Sequence, residues 1–273
     1  MDLDQARFLS GFLWLAEEGA SRNWHEANGG NLSYRLHDSE VESLETSRVN
    51  ARRVPLGIHV PALAGAHIAL SASGARMGDL SLAVDEHLGV IEIDGAGSSY
   101  VIVAGFDGTR PTSETEAHLA VHDARLRAGA RNERVVYHAH CPSVIALSAV
   151  LEADVRTWSS TLWRSLSECV YAVPRGIACL PYTAPGSTGL AVETGKAMAS
   201  HSVCVWANHG ALAAATEFDE ALDKMESIEK AAQIYLAARS ACGGREPSHL
   251  IPIEALRTYC TQAGIDANLE LLD

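Results

Sequence analysis

The sequence lacks the features of several other classes of protein. No uninterrupted apolar run approaches the roughly 20 residues of a membrane helix, and the N-terminus carries acid where a secretory signal carries base. No two of the six cysteines have the C-x-x-C spacing that is typical of zinc knuckles and thioredoxin-like redox motifs. We therefore expect a cytoplasmic protein with no membrane partner, in which most cysteines are free and buried.

Positive charge is also scarce. The chain has 21 lysine and arginine residues against 34 acidic residues, which gives a net charge of −13. An acidic protein repels the phosphate backbone, so we expect no nucleic-acid partner. The net charge does not exclude an anionic substrate, because a local pocket can be positive in a negative protein.

The composition is that of a folded globular protein. Of 273 residues, 47% are hydrophobic and 20% are charged, values that provide for a full core. No shift in composition marks a boundary, and no internal repeat is visible. We therefore predict one domain that extends over residues 1–273.

Short apolar runs predict most of the strands. They occupy residues 32–36, 67–71, 88–93, 100–104, 135–141 and 203–206. Tight turns between the early strands favour antiparallel pairing. Residues 37–60 are polar and irregular, which indicates a long surface insertion. Because helices follow later in the chain, we predict a mixed α/β fold whose sheet is covered by helices on both faces.

Apolar periodicity and capping signals predict the helices. A first helix extends from Phe8 to about Gly19, and another begins at Pro142. Capping-box spacing places two more helix starts, in the pairs Ser113 with Glu116 and Thr216 with Asp219. The last of these helices is expected to stop at Gly243-Gly244.

Three histidines follow two of the predicted strands. His138 and His140 are two apart at the end of one strand, where alternate residues point to the same face. Their imidazoles can therefore share a transition metal, although zinc normally takes three or four protein ligands. His209, in Asn208-His209-Gly210 after another apolar strand, is the third candidate. The alternative is that the pair is accidental on a half-exposed strand.

Two other histidines and one glutamate compete for functional roles. His118 and His122 are i, i+4 on a predicted helix, a spacing that also suits a metal pair. Because no adjacent third ligand is evident, we expect them instead to pack or to form hydrogen bonds on the helix face. Glu114 is the candidate base. The alternative is a helix-terminal carboxylate whose pKa the helix dipole lowers. A nearby metal would lower that pKa too, yet would stabilise the charge formed on a substrate.

Polar turns supply candidate phosphate sites. Backbone N–H groups and hydroxyls in such turns can bind an anion without lysine. The turns are Asn28-Gly29-Gly30-Asn31, Ser71-Ala72-Ser73-Gly74 and Thr112-Ser113. Each could equally be a hairpin turn or a helix N-cap.

These motifs, taken in order, resemble the class II aldolase/adducin family. The resemblance is carried by N-G-G-N at 28–31, S-x-S-G at 71–74, T-S-E at 112–114, H-A-H-C-P at 138–142 and N-H-G at 208–210, and it extends over nearly the whole chain. Serine and alanine stand at 71 and 72 where the family pattern has threonine and glycine, so the role of Ser71 is open.

The resemblance implies a fold, a cofactor and a set of site residues. It implies a largely antiparallel central sheet between helical layers and a homotetramer. It implies one zinc ion per chain on His138, His140 and His209. Two carboxylates would be catalytic: Glu114 as the base, and Glu168 reaching into a neighbouring subunit's site. Phosphate would be bound by Asn28, Gly30, Asn31, Ser73, Gly74, Thr112 and Ser113.

The activity implied is metal-dependent aldol chemistry on a phosphorylated ketose. We expect L-rhamnulose 1-phosphate to be cleaved to dihydroxyacetone phosphate and the small aldehyde L-lactaldehyde. Cleavage of L-fuculose phosphate, or 4-epimerisation of a pentulose phosphate, is the alternative within the family. A non-catalytic adducin-like scaffold and a hydrolytic zinc enzyme are the alternatives of other classes.

Overall fold

A computed structural model of the chain describes residues 3, 6–44 and 50–273. The strands are β1 Asn31–Arg35, β2 Asn50–Pro55, β3 His67–Ser71, β4 Leu88–Ile93, β5 Ser99–Gly105, β6 Val135–Ala139, β7 Ile177–Leu180, β8 Val203–Trp206 and β9 Gly210–Ala215. The helices are α1 Leu9–Ser21, α2 Asp38–Ser43, α3 Val84–His87, α4 Thr115–Arg127, α5 Pro142–Ser148, α6 Val155–Ser165, α7 Ser167–Ala172, α8 Thr188–Met198, α9 Phe218–Ala241 and α10 Ile253–Ala263.

The nine strands of the described residues form one sheet, in the order β2-β5-β4-β3-β1-β6-β9-β8-β7. Neighbouring strands are antiparallel except β7 and β8. Strands β1 and β9 therefore begin at the end of the sheet where β3, β6 and β8 finish. Asn31, at the start of β1, is paired with His138 near the end of β6. This topology brings polar turns that are distant in sequence to one end of the sheet.

Helices cover both faces of the central strands. Val136 and Leu212 pack in one cluster with apolar residues of α4 and α8. Their strand neighbours Tyr137 and Ala211 belong to the larger core that includes α1, α5 and α9. This alternation is the period of two that strands impose. The predicted fold class, a largely antiparallel sheet between helical layers, is confirmed.

Most predicted elements are confirmed with small shifts at their ends. The strands predicted at 67–71, 88–93 and 203–206 have those bounds in the structure, and α5 begins at Pro142 as expected. Helix α1 continues two residues beyond Gly19. The missed elements include β9, whose sequence Gly-Ala-Leu-Ala-Ala-Ala has none of the β-branched or aromatic residues that signal a strand, although all six residues are buried.

The prediction of an irregular insertion over residues 37–60 is wrong in part. Helix α2 occupies 38–43, and β2 is the edge strand beside β5. An edge strand needs no buried alternating face, and Arg52 and Arg53 on β2 are exposed. Residues 45–49 lie outside the described residues.

The capping box predicted at Ser113 is also wrong. Helix α4 begins at Thr115, and Glu114 is its N-cap residue. The carboxylate of Glu116 instead accepts hydrogen bonds from the backbone N–H of Gly57 at 2.5 Å and from a threonine hydroxyl of α8 at 2.7 Å. The Glu116 carboxylate therefore makes tertiary hydrogen bonds in place of the local capping bond.

The cap predicted at Thr216 is displaced by one residue. Helix α9 begins at Phe218, and the Thr216 backbone N–H donates to the carboxylate of Glu220 at 2.8 Å, not to Asp219. The C-terminal end at Gly243-Gly244 is as expected, since both glycines have positive φ directly after the helix.

Two further expectations concern cysteines and membranes. All six cysteines lie within the described residues and have free thiols, and five of them are buried. Among the described residues, no helix combines the length and the apolar character needed to cross a bilayer.

Candidate metal centre

The three candidate histidines meet at the polar end of the sheet. His138 lies on β6, His140 follows that strand, and His209 lies in the turn between β8 and β9. One ligand atom from each lies within 4.8 Å of the others. The ring centroids are 4.8–5.2 Å apart. The side chains predicted to share a metal therefore lie close enough together to do so.

Hydrogen bonds orient two of these rings. The Nδ1–H of His138 donates to the carbonyl oxygen of Ala211 at 2.9 Å, and that of His140 donates to Glu26 Oε1 at 2.6 Å. Both rings therefore keep Nε2 available as a ligand. His138 Nε2 is buried without a hydrogen-bond partner among the described residues. The indole of Trp206 packs against the rings of His138 and His209 at 4.6 and 5.1 Å.

The protonation of the cluster also suits a metal. Burial lowers the pKa of His138 well below its usual value, and neighbouring imidazoles lower it further. Burial lowers the pKa of His209 to about 4. Metal ligation requires neutral imidazoles, so the cluster has the donor set for a transition metal.

Glu114 faces this cluster from the start of α4. Its two carboxylate oxygens lie 3.5 Å from His138 Nε2 and 3.5 Å from His209 Nε2. The Nδ2–H of Asn31 donates to Glu114 Oε2 at 2.8 Å. Burial raises the pKa of Glu114, against the opposing effects of Asn31 and His140. A raised pKa suits a group that accepts and returns a proton.

The polar turns line the same pocket, whose volume is about 160 Å³. Every residue predicted to bind phosphate is among its walls: Asn28, Gly30, Asn31, Ser73, Gly74, Thr112 and Ser113. Neither lysine nor arginine is among the described residues that line it. An anion there would depend on backbone N–H groups, hydroxyls, amides and the metal.

Glycine is required at one of these positions. Gly30 has φ +74°, and a Cβ there would lie 2.1 Å from the His25 ring and 2.9 Å from the carbonyl oxygen of His138. The turn can approach the end of β6 this closely only because no side chain intervenes. Ser71, whose role was open, has a structural contact: its buried hydroxyl accepts the backbone N–H of Leu32 at 3.2 Å.

Two groups of candidate residues lie elsewhere in the chain. Glu168 is exposed on α7, in a groove with Tyr171 and Lys224, and is not among the described residues that line the histidine pocket. His118 and His122 belong to no metal group among the described residues. Both are buried and bonded to Ser33, as the packing interpretation predicted.

Glu26 and Trp206 were missed from the sequence. Glu26 is mostly exposed, and nothing in its local sequence distinguishes it from other surface acids. The local sequence identifies Trp206 only as the last apolar residue of a strand. Both contact the histidines through tertiary structure, which no spacing rule reveals.

Replacing Glu26 with alanine is expected to weaken metal binding about 10- to 100-fold, the usual cost of losing the partner of a ligating histidine. The reason is that Glu26 fixes the tautomer and orientation of His140. Competition for zinc with a chromogenic chelator measures the affinity. The matched control is Glu152→Ala, which removes an exposed carboxylate outside the pocket. Equal zinc affinity in both variants would show that His140 needs no such partner.

The chain also matches a known protein family. Residues 15–236 match the family model of the class II aldolase and adducin N-terminal domain. The chain is 30% identical to the rhamnulose-1-phosphate aldolases of Escherichia coli (strain SE11) and Shigella sonnei (strain Ss046), over 247 residues that cover 90% of this chain and 90% of each relative.

Solved structures give the same result for the fold. A sugar-phosphate aldolase from Thermotoga maritima is 25% identical with a TM-score of 0.71, over 87% of this chain and 96% of that one. An L-fuculose-1-phosphate aldolase from Thermus thermophilus is 20% identical with a TM-score of 0.60, over 88% of this chain and 98% of that one.

Proposed function

The chain belongs to the class II aldolase and adducin family, and from that premise we propose that it is a zinc-dependent aldolase. Its reaction would be the reversible cleavage of L-rhamnulose 1-phosphate to dihydroxyacetone phosphate and L-lactaldehyde. The observation that carries the proposal is that the three histidines, Glu114 and the phosphate turns line one pocket. The names of the relatives support the choice of sugar.

Zinc fits the donor set of His138, His140 and His209. Three imidazole nitrogens match the protein shell of a catalytic zinc, whose remaining position would be open to substrate. When bound, zinc would supply Lewis-acid stabilisation of the negative charge that develops on the substrate oxygens. His138 and Trp206, whose rings pack together, are both buried.

Glu114 would remove and return the proton at the reacting carbon. In the synthetic direction its carboxylate removes a C–H proton from dihydroxyacetone phosphate, and the resulting carbanion attacks the aldehyde carbon of L-lactaldehyde. In cleavage the C4 hydroxyl loses its proton and becomes the aldehyde carbonyl as the C3–C4 bond breaks. The electron pair of that bond stays on C3, and protonated Glu114 gives a proton to C3. Its carboxylate points at the metal ligands, where a substrate carbonyl would lie.

The polar turns would hold the phosphate and so fix the position of the reacting carbon. Thr112 is buried beside Glu114, whose backbone N–H donates to the Thr112 hydroxyl at 3.3 Å. Phosphate-binding and base-bearing residues are thus adjacent in the chain. Binding energy from the phosphate can therefore orient the carbon against Glu114.

We infer a homotetramer whose sites are shared between chains. Two observations support this. The pocket of about 160 Å³ is smaller than the roughly 300 Å³ at which ordinary ligand sites begin, and Glu168 lies in a separate groove of its own chain. Glu168 of a neighbouring chain would complete the site. It would accept the proton of the C4 oxygen in cleavage and return it in synthesis.

A panel of sugar phosphates tests the proposed substrate. We expect release of dihydroxyacetone phosphate to be fastest from L-rhamnulose 1-phosphate. Faster release from L-fuculose 1-phosphate, or interconversion of pentulose 5-phosphates without cleavage, would assign one of the other reactions of the family. No reaction with any member of the panel would favour an adducin-like scaffold, against which the complete set of histidines and Glu114 now argues.

A further inference from the structure

Two buried histidines of α4 remain without a role in the proposed reaction. His118 and His122 are fully buried, and both bond to the hydroxyl of Ser33, with His118 Nδ1 at 2.7 Å and His122 Nε2 at 2.9 Å. The other nitrogen of His118, Nε2, lies 2.5 Å from Asn31 Oδ1. Asn31 in turn donates to Glu114 at 2.8 Å. A continuous chain of hydrogen bonds therefore joins His122 to Glu114.

The direction of these hydrogen bonds follows from the groups at each step. An ionised carboxylate only accepts, so Asn31 must present its amide N–H to Glu114 and its oxygen to His118. His118 Nε2 then carries the hydrogen. Burial lowers the pKa of His118 to about 3, so its Nδ1 is an acceptor and takes the hydroxyl hydrogen of Ser33. The same reasoning places a hydrogen on His122 Nε2.

The surroundings of His122, at the other end of the hydrogen-bond chain, favour the same direction of donation. His122 Nδ1 is buried and has no hydrogen-bond partner among the described residues. Arg35 and Arg134 act on His122 as positive charges and lower its pKa further. A lone pair on Nδ1 suits these positive surroundings, whereas an N–H there would be buried without an acceptor among the described residues. If all these hydrogen bonds ran in the opposite direction, His122 Nδ1 would have to carry a hydrogen and Glu114 would have to be protonated.

From this geometry we propose that His118 and His122 are positioning residues for Glu114, acting through Ser33 and Asn31. The chain holds the Asn31 amide in one orientation, and that amide holds the Glu114 carboxylate against His138 and His209. This inference rests on the proposed role of Glu114 as the base. Asn31 would then have two roles: one amide hydrogen is donated to Glu114, and the other is left for the phosphate.

The first experiment compares His118→Leu with His118→Gln in the zinc-loaded protein. The rate measured is proton exchange at the reacting carbon of dihydroxyacetone phosphate. Leucine removes the donor to Asn31 and should lower kcat by about 100-fold, the scale expected when a reacting group is misplaced by about 1 Å. KM and zinc affinity should stay within about twofold. Glutamine can place an amide N–H where Nε2 was and should restore most of the rate.

Two comparisons separate positioning from a general loss of structure. Val121→Ala alters a buried residue of the same helix that takes no part in the hydrogen-bond chain, and it should leave kcat unchanged. In a Glu114→Gln background, His118→Leu should cause no further loss, because a residue that acts through Glu114 has nothing left to position. Equal losses in both backgrounds would overturn the proposal. If leucine prevents folding, Ser33→Ala breaks the same chain and should lower kcat in the same way.

A measurement that needs no activity completes the test. Two-bond ¹H–¹⁵N correlation spectra of the zinc-loaded protein should show both His118 and His122 as neutral imidazoles with the hydrogen on Nε2. A hydrogen on Nδ1 of either ring would overturn the proposed direction. If the unsubstituted protein fails to exchange the proton, the proposed function fails, while the spectra still decide the hydrogen-bond chain.

Discussion

Replacing Glu114 with glutamine is expected to slow proton exchange at the reacting carbon of dihydroxyacetone phosphate by about 100- to 10,000-fold, the usual cost of losing a general base. The amide keeps the shape of the side chain and loses its basicity. Zinc content should be largely unchanged, because three histidines supply most of a tetrahedral shell. Exchange needs no aldehyde, so it isolates this step, and it can be followed by loss of the ¹H signal in deuterated water.

The matched control for this prediction is Glu168→Gln. If Glu168 acts only at the aldehyde end of the site, this variant should exchange the proton normally and fail to form the carbon–carbon bond. The two carboxylates would then be assigned to separate steps. Exchange at the unsubstituted rate in Glu114→Gln would instead exclude Glu114 as the base, and Glu168 would become the first candidate.

Loss of His209 is expected to have an effect of similar size through the metal. His209→Ala removes one of three nitrogens that lie within 4.8 Å of one another. Removing a ligand should cost more than the roughly 100-fold upper range seen for partners of ligands. We expect zinc per chain to fall from about one to near zero after gel filtration, and aldol cleavage to fall with it.

The control for this variant is His249→Ala, which removes an exposed histidine near the C-terminal end of the chain. It should keep both zinc and activity. Zinc content is read by elemental analysis of the purified protein, independently of any substrate. Full zinc content and activity in His209→Ala would remove this residue from the ligand set.

The histidine cluster was predictable from sequence because strand geometry is local. His138 and His140 share a face by the period of two, and His209 follows an apolar strand that finishes at the same end of the sheet. What the sequence could not supply was the strand order that makes these ends adjacent. The family resemblance implied a largely antiparallel sheet but no strand order. The alanine-rich strand β9, which lies between the two histidine segments, had no signal of its own.

Predictions failed where tertiary contacts took over a local role. Glu116 has ideal capping-box spacing, yet it bonds to Gly57 and α8. The functional contact of Glu26 has the same origin, since its partner His140 is 114 positions away. His118 and His122 were correctly interpreted as hydrogen-bonded residues, but the route from them to Glu114 passes through β1 and is visible only in the fold.

The most direct test of a zinc-dependent aldolase is a reconstitution assay with L-rhamnulose 1-phosphate. The protein is stripped with a chelator, freed of it, and assayed for release of dihydroxyacetone phosphate before and after addition of one equivalent of zinc per chain. We predict no release from the stripped protein and recovery of activity with zinc. Release at the full rate without metal, or no release after zinc is restored to the folded protein, would contradict the assignment.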